Sequence, residues 1–145
     1  MRRVIAFLLA APAIARAVAG EFAGLHLPPY PQGLVEHDGA CIRLADRSQP
    51  ACTYGFAVLE DAARTPRVLY AGRLEGRENS GKPKWLVLDS FRIPKLPRGY
   101  RMALAECEED GIVDETIVAA VRSDESKASL DDVLFAKRFD LRNGT

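Results

Sequence analysis

The residue types here whose chemistry depends most on spacing are cysteine and histidine, and both are rare. The chain of 145 residues has three cysteines, Cys41, Cys52 and Cys107, and two histidines, His26 and His37. His37 precedes Cys41 by four residues, so a cysteine nucleophile with a histidine base can be imagined there. Oxidation of that cysteine would remove the thiolate and with it the hypothesis. Neither the cysteines nor the histidines have the spacing of metal ligands, and we predict neither a metal site nor a cofactor.

We predict a disulfide between Cys41 and Cys52 that staples a β-hairpin. The polar turn between them would be centred on Asp46 and Arg47, which would set the two cysteines opposite each other. Closing a loop of this size contributes roughly 3 kcal/mol, mainly by restricting the unfolded chain. A bridge from Cys107 to either of the other cysteines is the alternative, since three cysteines allow one disulfide and leave one thiol over.

A basic loop beside the single tryptophan is the best recognition cluster in the sequence. It consists of Arg77, Lys82, Lys84 and Trp85, within a stretch, residues 64–101, that has ten basic residues, three acids and a net charge of +7. Cations next to an indole suit an anionic glycan or an acidic protein surface. The alternative is that Trp85 opens a strand and packs into the core.

An acidic turn forms the opposite cluster, Glu108, Glu109 and Asp110. It lies in residues 102–132, which have two basic residues, ten acids and a net charge of −8. The run that starts at Glu106 resembles the beginning of a calcium loop, but its twelfth position is Ile117 rather than a bidentate Glu. We therefore interpret it as a solvated hairpin turn that could face a cationic enzyme.

Other catalytic patterns are weak. The sequence contains no nucleophile-elbow, zinc-protease or phosphate-loop motif. A hydrolase would have to use scattered carboxylates such as Glu75, Asp89 and Glu106, and spacing alone does not pair them.

The first 19 residues have the features of a signal peptide. Arg2 and Arg3 are followed by an apolar run that is too short for a membrane span and contains Pro12. The small residues Ala17 and Ala19 predict cleavage after Ala19, with cleavage after Ala17 as the alternative. We expect a periplasmic or extracellular protein with no stable membrane span after processing.

The predicted mature chain is nearly neutral. Removing three arginines leaves 17 basic residues against 20 acidic ones, a net charge of −3. This balance does not favour a nucleic-acid partner. The length is that of one domain, and we predict a proline-rich lead-in over residues 20–33 without ladder pairing, followed by a single β-rich domain over residues 34–145.

Periodicity predicts hairpins. Alternating residues mark strands at 67–74, 85–93 and 100–107, a polar loop at 75–84, and a turn at Asp110-Gly111 before a strand at 116–122. Ser129 as a cap, with Asp131 and Asp132 in the first turn, predicts one short helix ending near Arg138. The predicted fold class is α+β, mostly antiparallel β, with five to seven strands in hairpins and one short C-terminal helix.

The functional expectation is a small exported, non-enzymatic binding module for an envelope component or a protein partner. Two alternatives belong to other classes. One is an inhibitor or immunity-type protein against a secreted enzyme, and the other is a carboxylate-based cell-envelope hydrolase.

Overall fold

The computed structural model describes residues 3–5, 20–44 and 49–141, and these residues form strands, turns and loops without a helix. They fall into two compact units. The larger unit comprises Val18–Pro94 and Phe139–Thr145, and the smaller unit comprises Met1–Ala17 and Lys95–Arg138. Most of the predicted signal peptide, and the predicted turn centre at Asp46 and Arg47, lie outside the described residues. The signal peptide and the single domain over residues 34–145 stay predictions.

The larger unit is a five-stranded antiparallel sheet. Its strands follow the order β2-β6-β5-β4-β3. Their bounds are β2 His26–Leu27, β3 Val35–Ile42, β4 Tyr54–Glu60, β5 Pro66–Arg77 and β6 Pro83–Arg92. Strands β3 to β6 pair with their chain neighbours, as the alternating sequence predicts.

Each face of this sheet carries apolar side chains. One face holds a buried cluster against which residues of the lead-in pack: Leu27, Ala57, Leu59, Val68, Tyr70 and Val87, with Phe22, Tyr30, Leu34 and Trp85 partly buried beside them. On the other face, the centroid of the Phe139 ring lies 5.1 Å from that of Phe56 and 6.2 Å from that of Phe91. Burial on both faces explains why strand β4 is almost uniformly apolar.

The lead-in is ordered into this sheet, contrary to the prediction that it makes no ladder pairs. His26 and Leu27 pair with Leu86 and Trp85 of β6. Leu27 is buried, and that apolar contact compensates for the short ladder before the prolines end it.

The smaller unit contains seven short strands in two sheets. A three-stranded antiparallel sheet has the order β12-β10-β7, and a second sheet has the order β11-β1-β8-β9. The bounds are β1 Arg3–Ile5, β7 Tyr100–Leu104, β8 Cys107–Glu109, β9 Ile112–Val113, β10 Ile117–Arg122, β11 Ser129–Leu130 and β12 Val133–Arg138. The described pairs are antiparallel, except that β1 runs parallel to β8 and β11.

The predicted C-terminal helix is wrong, and so is the α+β class with five to seven strands. Residues 129–130 and 133–138 are strands β11 and β12, so the described part of the chain is all-β with twelve strands. Phe135 pairs with Ala120 and Val133 with Val121. The segment is too short to nucleate a helix well, and its Val and Phe side chains fit a sheet. Asp132, predicted to favour a helix start, instead accepts a hydrogen bond from the Tyr100 hydroxyl.

Candidate ligand-binding groove

The Cys41–Cys52 disulfide is present, with the two Cα atoms 4.7 Å apart. Cys41 lies in β3 and pairs with Gly55, whereas Cys52 precedes β4 with a positive φ of 62°. The cysteines are therefore joined across the end of the β3–β4 ladder rather than at opposed ladder positions. The predicted pairing is confirmed, and the staple fixes the end of β3 against β4.

Trp85 lies across two glycines of the neighbouring strands. A Cβ on Gly55 would lie 3.0 Å from Trp85 Cη2, and a Cβ on Gly72 would lie 3.2 Å from Trp85 Cβ. Gly55 of β4 and Gly72 of β5 are paired, so together they form one row without side chains. The indole occupies that row and extends from β6 toward β3, and a Cβ at either glycine would force it to shift.

An open groove of about 270 Å³ lies between the indole and strand β3. It is lined by the indole, a proline, one carboxylate and residues of β3 and β4: Glu36, Gly39, Ala40, Cys41, Phe56, Ala57, Pro83 and Trp85. Apolar walls with few polar groups are typical of sites that recognise a ligand by shape and orient it by one charge.

Glu36 is the charged residue of this groove, and two tyrosines hold it in place. Its Oε2 accepts hydrogen bonds from the Tyr30 hydroxyl at 2.8 Å and the Tyr70 hydroxyl at 3.1 Å. Burial first, and then the hydrogen bond and charge of Glu36, raise the pKa of Tyr30 and Tyr70 well above the usual value for tyrosine. Both tyrosines therefore remain neutral donors, and neither uses the second carboxylate oxygen, Oε1.

The predicted basic cluster is only partly brought together. Lys82 places its Nζ 4.8 Å from the ring centre of Tyr30, and Trp85 lines the groove. Arg77 instead donates to the Gly81 carbonyl at 2.9 Å within the β5–β6 connection. Lys84 is exposed and adjoins Trp85 in β6, so its side chain points to the other face of the sheet.

The β5–β6 connection is also shorter than predicted. Residues 75–84 were expected to form a polar loop, but Arg77 pairs with Pro83, and only residues 78–82 connect the strands. A bulge at Leu74–Gly76 absorbs the polar residues into β5. The basic side chains are thereby fixed on a hairpin.

The acidic turn belongs to the smaller unit and has a different organisation. Asp110 and Gly111 have φ of 51° and 80°, the conformation of a tight hairpin turn, as predicted. Glu108 is buried, and Glu109 forms an ion pair with Arg138. The three predicted residues therefore do not present one exposed acidic surface.

Arg138 also reaches Asp114, whose Oδ2 accepts from Nε at 3.0 Å. Burial would raise the pKa of Asp114, but hydrogen bonds from Thr116 and the guanidinium of Arg138 hold it below the usual value. Hydrogen bonds and ion pairs thus engage Glu109 and Asp114 within the unit.

Neither the free thiol of Cys107 nor the predicted pair of Cys41 and His37 provides a nucleophile. Cys41 is oxidised, and His37 Nδ1 lies 3.6 Å from Glu60 Oε2. Cys107 is fully buried, and burial, with the charges of Glu106 and Asp114, raises the pKa of its thiol to about 12.

Sequence reasoning missed Glu36, Tyr30 and Tyr70 as site residues, and the two glycines beneath the indole. The hydrogen bond from Tyr70 to Glu36 links residues far apart in the chain. One signal was available: Gly55 and Gly72 lie within strands, where a glycine often marks a close approach by another group.

Comparison of the chain with protein-family models, with curated proteins and with solved structures gave no match. Within residues 3–5, 20–44 and 49–141, no group of three or more His, Cys, Asp or Glu side chains is arranged to hold a metal ion. The same part of the chain has no helix that is long and apolar enough to cross a membrane.

Proposed function

We propose that this protein is a small exported, non-enzymatic module that binds an envelope component or a protein partner through the groove beside Trp85. The observation that carries the proposal is the groove itself. An indole, a proline and residues of β3 and β4 line it together with one oriented carboxylate, next to a disulfide-stapled strand. This combination of apolar walls and one fixed polar group suits binding without chemistry.

Export is part of the proposal. Disulfides persist in oxidising compartments, and the Cys41–Cys52 bridge is compatible with one. The predicted signal peptide over residues 1–19 would deliver the chain to the periplasm or the cell exterior.

The carboxylates suggested for a hydrolase have structural partners instead. Glu75 forms an ion pair with Arg73 at 2.8 Å, and Glu106 forms one with Arg101 at 2.6 Å. Asp89 is buried, and its Oδ1 accepts from the backbone N–H groups of Gly20 and Ser90 at 2.8 and 2.7 Å. These contacts favour a binding function over carboxylate catalysis.

A pull-down from envelope extract with residues 20–145 as bait tests the proposal. The comparison is between wild type, Trp85→Ala and the control Asp110→Asn, which changes an exposed charge in the smaller unit. We expect a specific component to be captured by wild type and the control and lost with Trp85→Ala. Equal capture by all three proteins would contradict binding at the groove.

A second pair of variants separates apolar from electrostatic recognition. Lys82→Glu with Lys84→Glu reverses two exposed charges of the β5–β6 hairpin, of which Lys82 lies over the Tyr30 ring, and the capture is repeated at low and high salt. An anionic component would be lost in both cases, since exposed charges are screened by salt. Retention of the captured component under both changes would place recognition in the apolar walls and Glu36.

A further inference from the structure

Strand β3 forms an edge of the five-stranded sheet. Only β4 pairs with it among the described residues, and most of its residues are exposed or half-buried. The opposite edge, β2, is two residues long and is followed by Pro28 and Pro29. An edge strand presents backbone N–H and C=O groups that can pair with another chain. Of the two edges, β3 is the one long enough to do so.

The usual protection of an edge strand is incomplete in β3. The stretch Val35–Ile42 contains no lysine, arginine or proline. Its one irregularity is a bulge between Glu36 and Asp38, after which Asp38–Ile42 pairs regularly with β4. A bulge at one end discourages pairing there and leaves the remaining residues as a template. The Gly39 N–H donates to Asp38 Oδ1 at 2.9 Å, a contact that an added strand would replace.

The regular part of this edge is also a wall of the groove. Gly39, Ala40 and Cys41 line it, opposite Trp85 and next to Glu36. A strand that pairs with β3 would therefore carry its side chains past the groove. Peptide recognition by strand addition works in this way, since the backbone supplies affinity and a pocket selects alternate side chains.

We propose that an extended segment of a basic protein partner adds to the sheet along Asp38–Ile42 and inserts one Lys or Arg side chain into the groove. The aliphatic stem would lie against Trp85, and the cation would meet Glu36 Oε1, the oxygen that neither tyrosine uses. This inference rests on the proposed function and names its partner class.

Charge argues against a second copy of the same chain as the occupant. Val35–Ile42 of a second copy contains Glu36 and Asp38 but no lysine or arginine, so it offers no cation to Glu36. Like charges across paired strands are destabilising, whereas a basic strand would be attracted.

The probe is an acetylated decapeptide that alternates lysine with valine and threonine, titrated into ¹⁵N-labelled protein. We expect shifts of the Asp38–Ile42 amides and of the Trp85 indole N–H. The same peptide with N-methyl groups on consecutive residues can pair through neither edge and should bind at least tenfold more weakly. A glutamate version of the peptide tests charge and should not bind.

A matched pair of variants tests the role of Glu36. Glu36→Gln keeps the shape and should weaken binding of the lysine peptide about tenfold, while Lys84→Gln, on the other sheet face, should not weaken it. With norleucine in place of lysine, Glu36→Gln should have no effect. This last readout separates recognition of the cation from a structural role of Glu36.

The outcomes are distinguishable. Shifts confined to Trp85, with equal binding of the N-methylated peptide, would overturn strand addition while leaving the groove as a binding site. A lysine peptide that causes no shift in either region would overturn this inference, whereas the proposed function fails only if the extract capture is insensitive to Trp85→Ala. Concentration-dependent dimerisation lost on substitution in β3 would replace the basic partner by a second copy.

Discussion

The groove and the acidic turn differ in what their charged residues are able to contact. In the larger unit, the paired glycines accommodate the Trp85 indole, and Glu36 lines the groove beside the indole with one carboxylate oxygen free of the tyrosines. In the smaller unit, Arg138 binds both Glu109 and Asp114, and Glu108 is buried. A run of charges in a sequence therefore predicts the composition of a surface but not its availability to a partner.

Loss of the disulfide next to the groove should have the largest effect on stability. Reduction, or Cys41→Ser with Cys52→Ser, should lower the free energy of unfolding by roughly 3 kcal/mol. Urea denaturation with and without reductant measures it. Identical midpoints would mean that the staple contributes nothing to the stability of the larger unit.

The buried Cys107 should resist a thiol reagent until the chain unfolds.

A smaller effect is expected from filling the glycine row. Gly55→Ala places a methyl group 3.0 Å from Trp85 Cη2 and should cost about 1–3 kcal/mol, with a shift in tryptophan fluorescence. In a Trp85→Ala background the same substitution should lower the free energy of unfolding by less, because the indole that the methyl group would displace is absent. Equal costs in the two backgrounds would show that the indole does not occupy the row.

The tyrosines of the groove should make the larger unit sensitive to high pH. Their pKa values are raised in the folded state, so their contribution is fully present below the ordinary tyrosine pKa of about 10 and is lost as pH rises above it. Tyr70→Phe should cost about 1 kcal/mol at neutral pH and flatten the alkaline limb of the stability curve. An unchanged alkaline limb would contradict the role of the Glu36 hydrogen bonds.

The acidic turn should show the opposite pH dependence and the smallest effect. The pKa of Asp114 is lowered, so its contribution is present above the ordinary carboxyl value of about 3.9 and is lost as pH falls through the folded value. Arg138→Gln should cost about 0.2–1 kcal/mol, since the ion pairs are partly exposed. Thermal unfolding between neutral and acidic pH measures this, and a loss as large as that of the disulfide would contradict it.

Local features of the fold were predictable and distant ones were not. Cysteine spacing predicted the Cys41–Cys52 bridge, and Asp110-Gly111 predicted a tight turn, because both depend on neighbouring residues. The segment after Ser129 carries apolar residues at spacings that suit a helix or a strand, and its pairing with β10 decides for the strand.

The groove depends on contacts between strands that no local pattern encodes. Trp85 was predicted as a contact residue, but its position depends on Gly55 and Gly72 two strands and one strand away. In the sequence Glu36 is an ordinary polar residue, and its position depends on hydrogen bonds from the hydroxyls of Tyr30 and Tyr70. The register of the sheet determines which of these residues meet. That register depends on pairing between several strands and not on neighbouring residues alone.

We propose that the groove beside Trp85 binds a partner, and Trp85 is the sole tryptophan of the chain. Acrylamide quenching of its fluorescence, with and without the lysine peptide, therefore reports on this groove alone. Saturating peptide should protect the indole in wild type, and Glu36→Gln should need about tenfold more peptide for the same protection. Quenching that is unchanged by peptide shown to be bound would place the binding site elsewhere.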